Sequence, residues 1–332
     1  MRRREFIALA GGTAIWPLIW PLAARAQPGE RMRRVGIVMP FPKGDPEFEA
    51  RVRAFRQELA RLGWNEGGNV QFDERWTTDN MDRVRAEAAS LLASKPDVVV
   101  ATGGRVVPVL MQLSSSVPIV LPTSIDPVGT GWVKSLARPG GNVTGFTLFE
   151  LSMFGKMLET LKQIAPATNR VGLIYNPENP NAAVYRRTIA SFAGPLAVEA
   201  VDLPIRGLAD IEAAVATLAG RPDAGAFFLP DISVIALRDE VIALTARYRL
   251  PAVYTEPMFV KAGGLAFYGA DRLDLFRRAA GYVDRILRGE KPADLPVQQA
   301  TRFQLMINLR TAKALGLELS PTLLLLADEV IE

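Results

Sequence analysis

The chain has 332 residues, with 39 Lys and Arg against 35 Asp and Glu and a formal net charge of +4. It contains neither cysteine nor histidine. That excludes disulfide bridges, a Cys nucleophile, a Ser-His-Asp triad and a zinc site built from the usual nitrogen and sulfur ligands.

The opening residues have three parts. Arg2, Arg3 and Arg4 precede an apolar run from Phe6 to Ala24, which ends at Ala24-Arg25-Ala26. A positive head, an apolar middle and an A-x-A ending make a cleavable secretory signal over residues 1–26, with cleavage after Ala26. Arg3-Arg4-Glu5-Phe6-Ile7 fits its twin-arginine form. The bland alternative is a short membrane anchor, but Gly11, Gly12, Pro17 and Pro21 interrupt the stretch. Four arginines and one acid lie in this leader, so 35 basic and 34 acidic residues follow it. The remainder has no general attraction to phosphate backbones, and nucleic acid is not an expected partner. An exported, periplasmic protein is the expectation.

After Gln27 the chain alternates strand and helix. Arg34–Met39 is a compact apolar run that reads as a buried parallel strand. Phe48, Val52, Phe55, Leu59 and Leu62 recur at helical spacing until Gly63. Val70–Phe72 is a second strand, Val84, Ala88, Leu91 and Leu92 mark a second helix, and Val98–Ala101 is a third strand. A helix near Val106–Leu113 and a strand at Ile119–Leu121 follow. The turn formers of Arg138-Pro139-Gly140-Gly141-Asn142-Val143-Thr144-Gly145 suit a crossing to another lobe.

The same order then restarts. Leu151, Phe154, Leu158 and Leu161 form a helix face, Val171–Tyr175 a strand, Asn181–Phe192 a helix and Val198–Val201 a strand. Next come a helix on Leu208, Ile211, Val215 and Leu218, and a strand at Phe227–Leu229. A helix on Leu237, Val241, Leu244 and Tyr248 leads to the strand Ala252–Tyr254. The tail offers strands at Leu265–Tyr268 and Phe303–Asn308, with a helix on Phe276, Ala280, Val283 and Leu287 between them. Helices at Leu309–Leu315 and Pro321–Val330 close the chain. This pattern predicts an α/β fold of two doubly wound, Rossmann-like lobes with a ligand cleft between them. The expected N-terminal lobe is 33–147 plus about 270–300, and the C-terminal lobe 148–269 plus about 301–332.

In open α/β sheets ligands bind beyond the carboxyl ends of the strands. That rule selects Phe41 after the first strand, Thr102, Gly103 and Gly104 after the third, and Ser124 and Asp126 after the fourth. In the second lobe it selects Asn176, Asp231, Tyr254, Glu256, Tyr268 and Asp271. Hydroxyls, backbone amides, acids and aromatic rings in one cleft suit a small polar or zwitterionic ligand. Each acid also has a structural reading, since Asp126 before Pro127 can form an Asx turn and Asp231 can cap a helix. Gly103-Gly104 lacks a dinucleotide fingerprint, and no Walker Lys-Ser/Thr follows a glycine loop.

Several motifs occur together in order: Arg34-Val35-Gly36-Ile37-Val38-Met39-Pro40, Ile125-Asp126-Pro127-Val128-Gly129, Ser135 to Gly145, and Tyr175-Asn176-Pro177. With Leu250–Tyr254 and Ile307–Gly316, they resemble the ABC-transporter substrate-binding proteins related to tryptophan/tyrosine-binding components. The resemblance covers nearly all of the chain after the leader. It implies type I periplasmic-binding-protein architecture, hinge closure on a small molecule, and delivery to an ABC permease in the inner membrane. The solute expected is an amino acid, possibly aromatic, or an aromatic carboxylate. Catalytic residues, metals and cofactors are not expected, and the protein is expected to be a monomer and not an enzyme. The alternatives are a ligand-sensing partner of a membrane receptor or a two-lobe carboxylate-dependent enzyme.

Overall fold

Continuous apolar runs become central parallel strands because both of their faces are covered by helices. A computed structural model describes residues 31–41, 43–78, 80–148, 152–179 and 181–332. The leader 1–26 and Leu151, singled out in the sequence, lie outside the described residues. The first half builds β1 (Arg33–Met39), α1 (Pro46–Arg61), β2 (Val70–Trp76), α2 (Met81–Ala93), β3 (Val98–Ala101), α3 (Val106–Leu113), β4 (Ile119–Ser124) and β5 (Val143–Thr147). The second half begins with α4 (Ser152–Ile164), β6 (Arg170–Tyr175), α5 (Ala182–Ala193), β7 (Glu199–Pro204), α6 (Leu208–Ala219) and β8 (Ala224–Phe228). It continues with α7 (Ile232–Ala236), α8 (Arg238–Arg247), β9 (Ala252–Tyr254), α9 (Pro257–Lys261) and β10 (Ala266–Ala270). The tail adds α10 (Arg272–Leu287), β11 (Gln298–Gln299), β12 (Phe303–Asn308), α11 (Leu309–Leu315), α12 (Pro321–Leu326) and β13 (Glu329–Ile331).

Two sheets result. The first runs β11-β5-β4-β3-β1-β2 and the second β13-β12-β10-β9-β8-β6-β7. Every pairing in the first is parallel. The second is mixed, because β12 returns antiparallel to β10. Phe48 and Phe55 of α1 and Phe276 and Val283 of α10 fill one side of the first sheet. Val84, Leu91, Val107 and Leu110 fill the other. In the second sheet α4 and α5 contribute Phe154, Leu161, Tyr185 and Ile189 to one side, and α6 and α8 contribute Ile211, Val215, Val241 and Leu244 to the other.

Among the described residues the chain passes between the sheets three times: after β5, at the β10–α10 junction, and between β11 and β12. Described residues at these passages lie side by side. Ala300 N donates to Thr147 O at 3.0 Å, and Asp271 N donates to Arg302 O at 2.9 Å.

Two expectations are corrected. The turn-rich stretch ending at Gly145 runs into β5, a fully buried strand. Gly145 sits opposite Leu121 of β4 at φ +139°, where a Cβ would come 2.1 Å from the Leu121 carbonyl oxygen. Glycine is there for close strand approach, not for a turn. The helix expected over Pro321–Val330 stops at Leu326, and Val330 then pairs with Ile307. Leu323 packs inward while Leu325 is 87% exposed, so only one leucine of that run docks. The short elements α7, α9 and β11 carry too few residues for a periodic signal.

Candidate functional site

The carboxyl ends of the parallel strands in both lobes open onto one cavity of about 150 Å³. The first lobe contributes Pro40 and Phe41 after β1, Thr78 after β2, Thr102 to Arg105 after β3, Thr123 to Asp126 at the end of β4, then Thr130, Trp132 and Leu148. The second contributes Asn179, Asn181 and Tyr185 after β6, Pro230 to Ile232 and Ile235 after β8, and Glu256 after β9. Arg51 of α1 and Arg272 at the start of α10 complete the wall. Gly104 approaches Asn181 across the opening, where a Cβ would lie 3.9 Å from its Nδ2.

One part of the cavity is acidic. Asp126 Oδ1 accepts from Gly129 N at 2.7 Å. A Cβ on Gly129 would meet Asp126 Oδ2 at 2.0 Å, so the bare glycine is what seats this carboxylate. Asp231 caps α7 by accepting from Ser233 N at 2.9 Å, and its Oδ2 takes Asn179 Nδ2 at 2.8 Å. Tyr185 of α5 is 1% exposed, and its hydroxyl has no hydrogen-bond partner among the described residues. Burial pushes that hydroxyl well above the ordinary tyrosine range and the negative charge of Asp231 adds to the shift; the Asn181 side chain, within weak hydrogen-bonding reach, opposes it, and Asp126 adds a smaller raise. An acid from each lobe therefore acts on one buried hydroxyl. Close by, Thr102 Oγ1 and Thr123 Oγ1 share a hydrogen bond of 2.5 Å, and Ser124 Oγ donates to Phe146 O at 2.8 Å.

Another part is basic. Glu256 of the second lobe inserts between Arg272 and Arg51, with Oε1 to Arg272 Nη2 at 2.8 Å and Oε2 to Arg51 Nη2 at 2.7 Å. Burial alone would push the Glu256 carboxyl up, but Arg272 and Arg51 outweigh it and hold it below the usual carboxylate range. Arg272 is itself lowered, first by burial and further by the like charge of Arg51, against the raising pull of Glu256. Two outer ion pairs join α1 and its N-cap to the second lobe, Lys261–Glu47 at 3.0 Å and Arg238–Asp45 at 3.3 Å. Arg51 also lies over the Phe48 ring at 4.7 Å, and Phe48 stacks on Phe41 with centroids 3.6 Å apart. Phe41 is thus a wall fixed from behind.

Of the residues selected from the sequence, Phe41, Thr102, Gly103, Gly104, Ser124, Asp126, Asp231 and Glu256 stand on this wall. Four do not. Tyr254 is a core residue, stacked between Phe228 and Phe259 with its hydroxyl on Thr245 at 2.9 Å. Asp271 caps α10 through Asp274 N. Asn176 folds its own loop by accepting from Glu178 N. Tyr268 stacks on Phe303, which belongs to the neighbouring strand β12. The sequence reading missed Arg51, Tyr185, Trp132 and Arg272. A usable signal existed for Arg51, which follows Phe48 by three residues and shares the apolar stripe of α1, where an arginine is out of place.

Two α/β lobes joined by three passages, with a cavity where their strand ends meet, define a cleft-type binding protein of the type I periplasmic class. The sequence pattern of the ABC transporter substrate binding protein family matches residues 37–331, and the chain belongs to that family. The tyrosine-binding protein of Clostridioides difficile (strain R20291) is 26% identical over 274 residues, spanning 82% of this chain and 78% of that protein. A conserved domain protein of Vibrio cholerae superposes with a TM-score of 0.83 at 26% identity, covering 90% of this chain and 100% of that one. A Streptococcus pneumoniae protein in complex with L-Trp also gives 0.83, at 22% identity over 90% and 99% of the two chains. A ligand-free, open substrate-binding protein from Clostridium difficile gives 0.70, at 25% identity over 90% and 99%.

Proposed function

We propose that this chain is an exported solute receptor that captures one amino acid, an aromatic one foremost, and presents it to an ABC permease. The observation that carries the reading is the cavity itself. It joins an acidic group (Asp126, Asp231) to a basic one (Arg51, Arg272) in a space of about 150 Å³ walled by Phe41, Trp132 and Tyr185. A cavity of about 150 Å³ holds one six-membered ring. Opposite charges within it suit an ammonium and a carboxylate on the same molecule. The tyrosine-binding relative supports the amino-acid class.

The side-by-side passages act as the hinge, and the three α1-side ion pairs form when the lobes meet. A better superposition on the L-Trp complex than on the ligand-free open relative supports a closed arrangement here. Closure then gives the permease a surface that the open form lacks, and no bond of the solute is made or broken. Export by the 1–26 leader, with release after Ala26 into the periplasm, puts the receptor on the permease's outer side.

Thermal melting against amino acids, aromatic acids, sugars and nucleosides tests the reading. A solute at about 100 times its dissociation constant stabilises by about 2.7 kcal/mol. L-tyrosine or L-tryptophan should raise the midpoint by several degrees. A response confined to sugars or nucleosides contradicts the amino-acid class.

A further inference from the structure

We propose that Arg51 receives the carboxylate of the solute and transmits its arrival to Glu256 on the opposite lobe; this rests on the cleft being the solute site. Arg51 is 4% exposed, lines the cavity, and its Nε–H has no acceptor among the described residues. Its Nη2 is already committed to Glu256 at 2.7 Å, and Glu47 stands further off at 3.6 Å. Nη2 is therefore occupied, and the Nε–H beside it is buried without an acceptor among the described residues. A buried N–H without an acceptor is a costly arrangement, and a solute oxygen removes that cost.

Charge balance points the same way. Both oxygens of Glu256 are spent on Arg51 and Arg272, so one buried acid faces two buried bases. Glu47 does not restore neutrality, because Lys261 pairs with it at 3.0 Å. The group carries one positive charge in excess at the cavity wall. A solute carboxylate adds a negative charge where the named bases outnumber the named acids. Neutral sugars do not. Position does the rest: Arg51 belongs to the first lobe and Glu256 to the second, so neutralising the cluster favours the state in which the two meet. Glu256 is a positioning residue, holding Arg51 against the cavity wall.

The experiment is calorimetric titration of wild type, Arg51→Met and Arg51→Lys with three probes. These are L-tyrosine, tyramine (no carboxylate) and 3-(4-hydroxyphenyl)propanoate (no ammonium). Wild type should prefer L-tyrosine over tyramine by about ten- to a hundredfold, the range for hydrogen bonds to a charged group. In Arg51→Met that preference should shrink to a few-fold, and the propanoate should weaken in step with L-tyrosine. Arg51→Lys keeps the charge but loses the fork, so an intermediate preference is expected. It carries the test alone if the Met variant does not fold. An unchanged preference in either variant, or none in wild type, overturns the proposal while leaving the amino-acid reading intact. Binding of the propanoate but of no amino acid, lost in Arg51→Met, upholds Arg51 and overturns the amino-acid reading instead. If none of the probes binds wild type, both are overturned.

Discussion

Replacing Tyr185 by Phe removes one oxygen and leaves the rest of the site in place. The Tyr185 ring is packed by Phe154 at 5.3 Å and is 1% exposed, so a phenylalanine ring has the same seat. The deleted hydroxyl makes no hydrogen bond of good geometry among the described residues, with only the Asn181 side chain in weak reach, so the fold loses little. Stability without solute should stay within about 1 kcal/mol of wild type, and a small gain is the favoured direction, since a buried unpaired hydroxyl carries a penalty. Binding should move oppositely. If a solute group meets this hydroxyl beside Asp126 and Asp231, its removal strands that group at about 1 to 3 kcal/mol. That is roughly 5- to 150-fold in dissociation constant at about 1.4 kcal/mol per tenfold. Calorimetry with L-tyrosine, alongside thermal melting without solute, reads both quantities. A dissociation constant within twofold of wild type would refute the assignment of Tyr185 to the solute. A fall in midpoint of more than a few degrees would show the hydroxyl supporting the fold instead.

Asp126→Asn keeps an oxygen for Gly129 N but removes the charge. It should weaken L-tyrosine by about ten- to a hundredfold with the midpoint unchanged; the reverse pattern makes Asp126 a turn residue. Glu256 is held below its ordinary value of 4.5, so the stability it contributes is fully present above that pH and is lost as pH falls through the lower, folded value. The midpoint difference between wild type and Glu256→Gln should therefore be largest near neutrality and shrink as the pH falls below the ordinary value, and a difference independent of pH contradicts this. Tyr254→Phe deletes the bond to Thr245, costing about 1 kcal/mol with affinity unaltered. A tenfold affinity loss would return Tyr254 to the site.

Strand–helix alternation was legible because β1, β3 and β8 are buried on both faces and read as unbroken apolar runs. Strand β5 was not, since the Gly145 that permits its approach to Leu121 is indistinguishable in sequence from a turn glycine. The loops after strands supply part of the candidate cavity: Thr102 to Gly104, Ser124 and Asp126 line it at the strand ends. The rule failed at Tyr254, whose ring is taken into the aromatic stack with Phe228 and Phe259. It could not reach Tyr185 or Arg51. Both sit inside helices, and what faces them comes from elements distant in sequence, as Arg51 and Glu256 show at a separation of 205 residues. Local periodicity marks a helix face as buried without saying what buries it. Asp231 shows that the two readings of an acid are compatible, since it caps α7 and also stands on the cavity wall.

The most direct test of the account is small-angle scattering of the purified protein titrated with L-tyrosine. Closure of the two lobes about the three passages predicts a radius of gyration that falls saturably and levels off at one solute per chain. A radius that stays constant while calorimetry shows the solute bound would contradict the claim that this cleft works by closing.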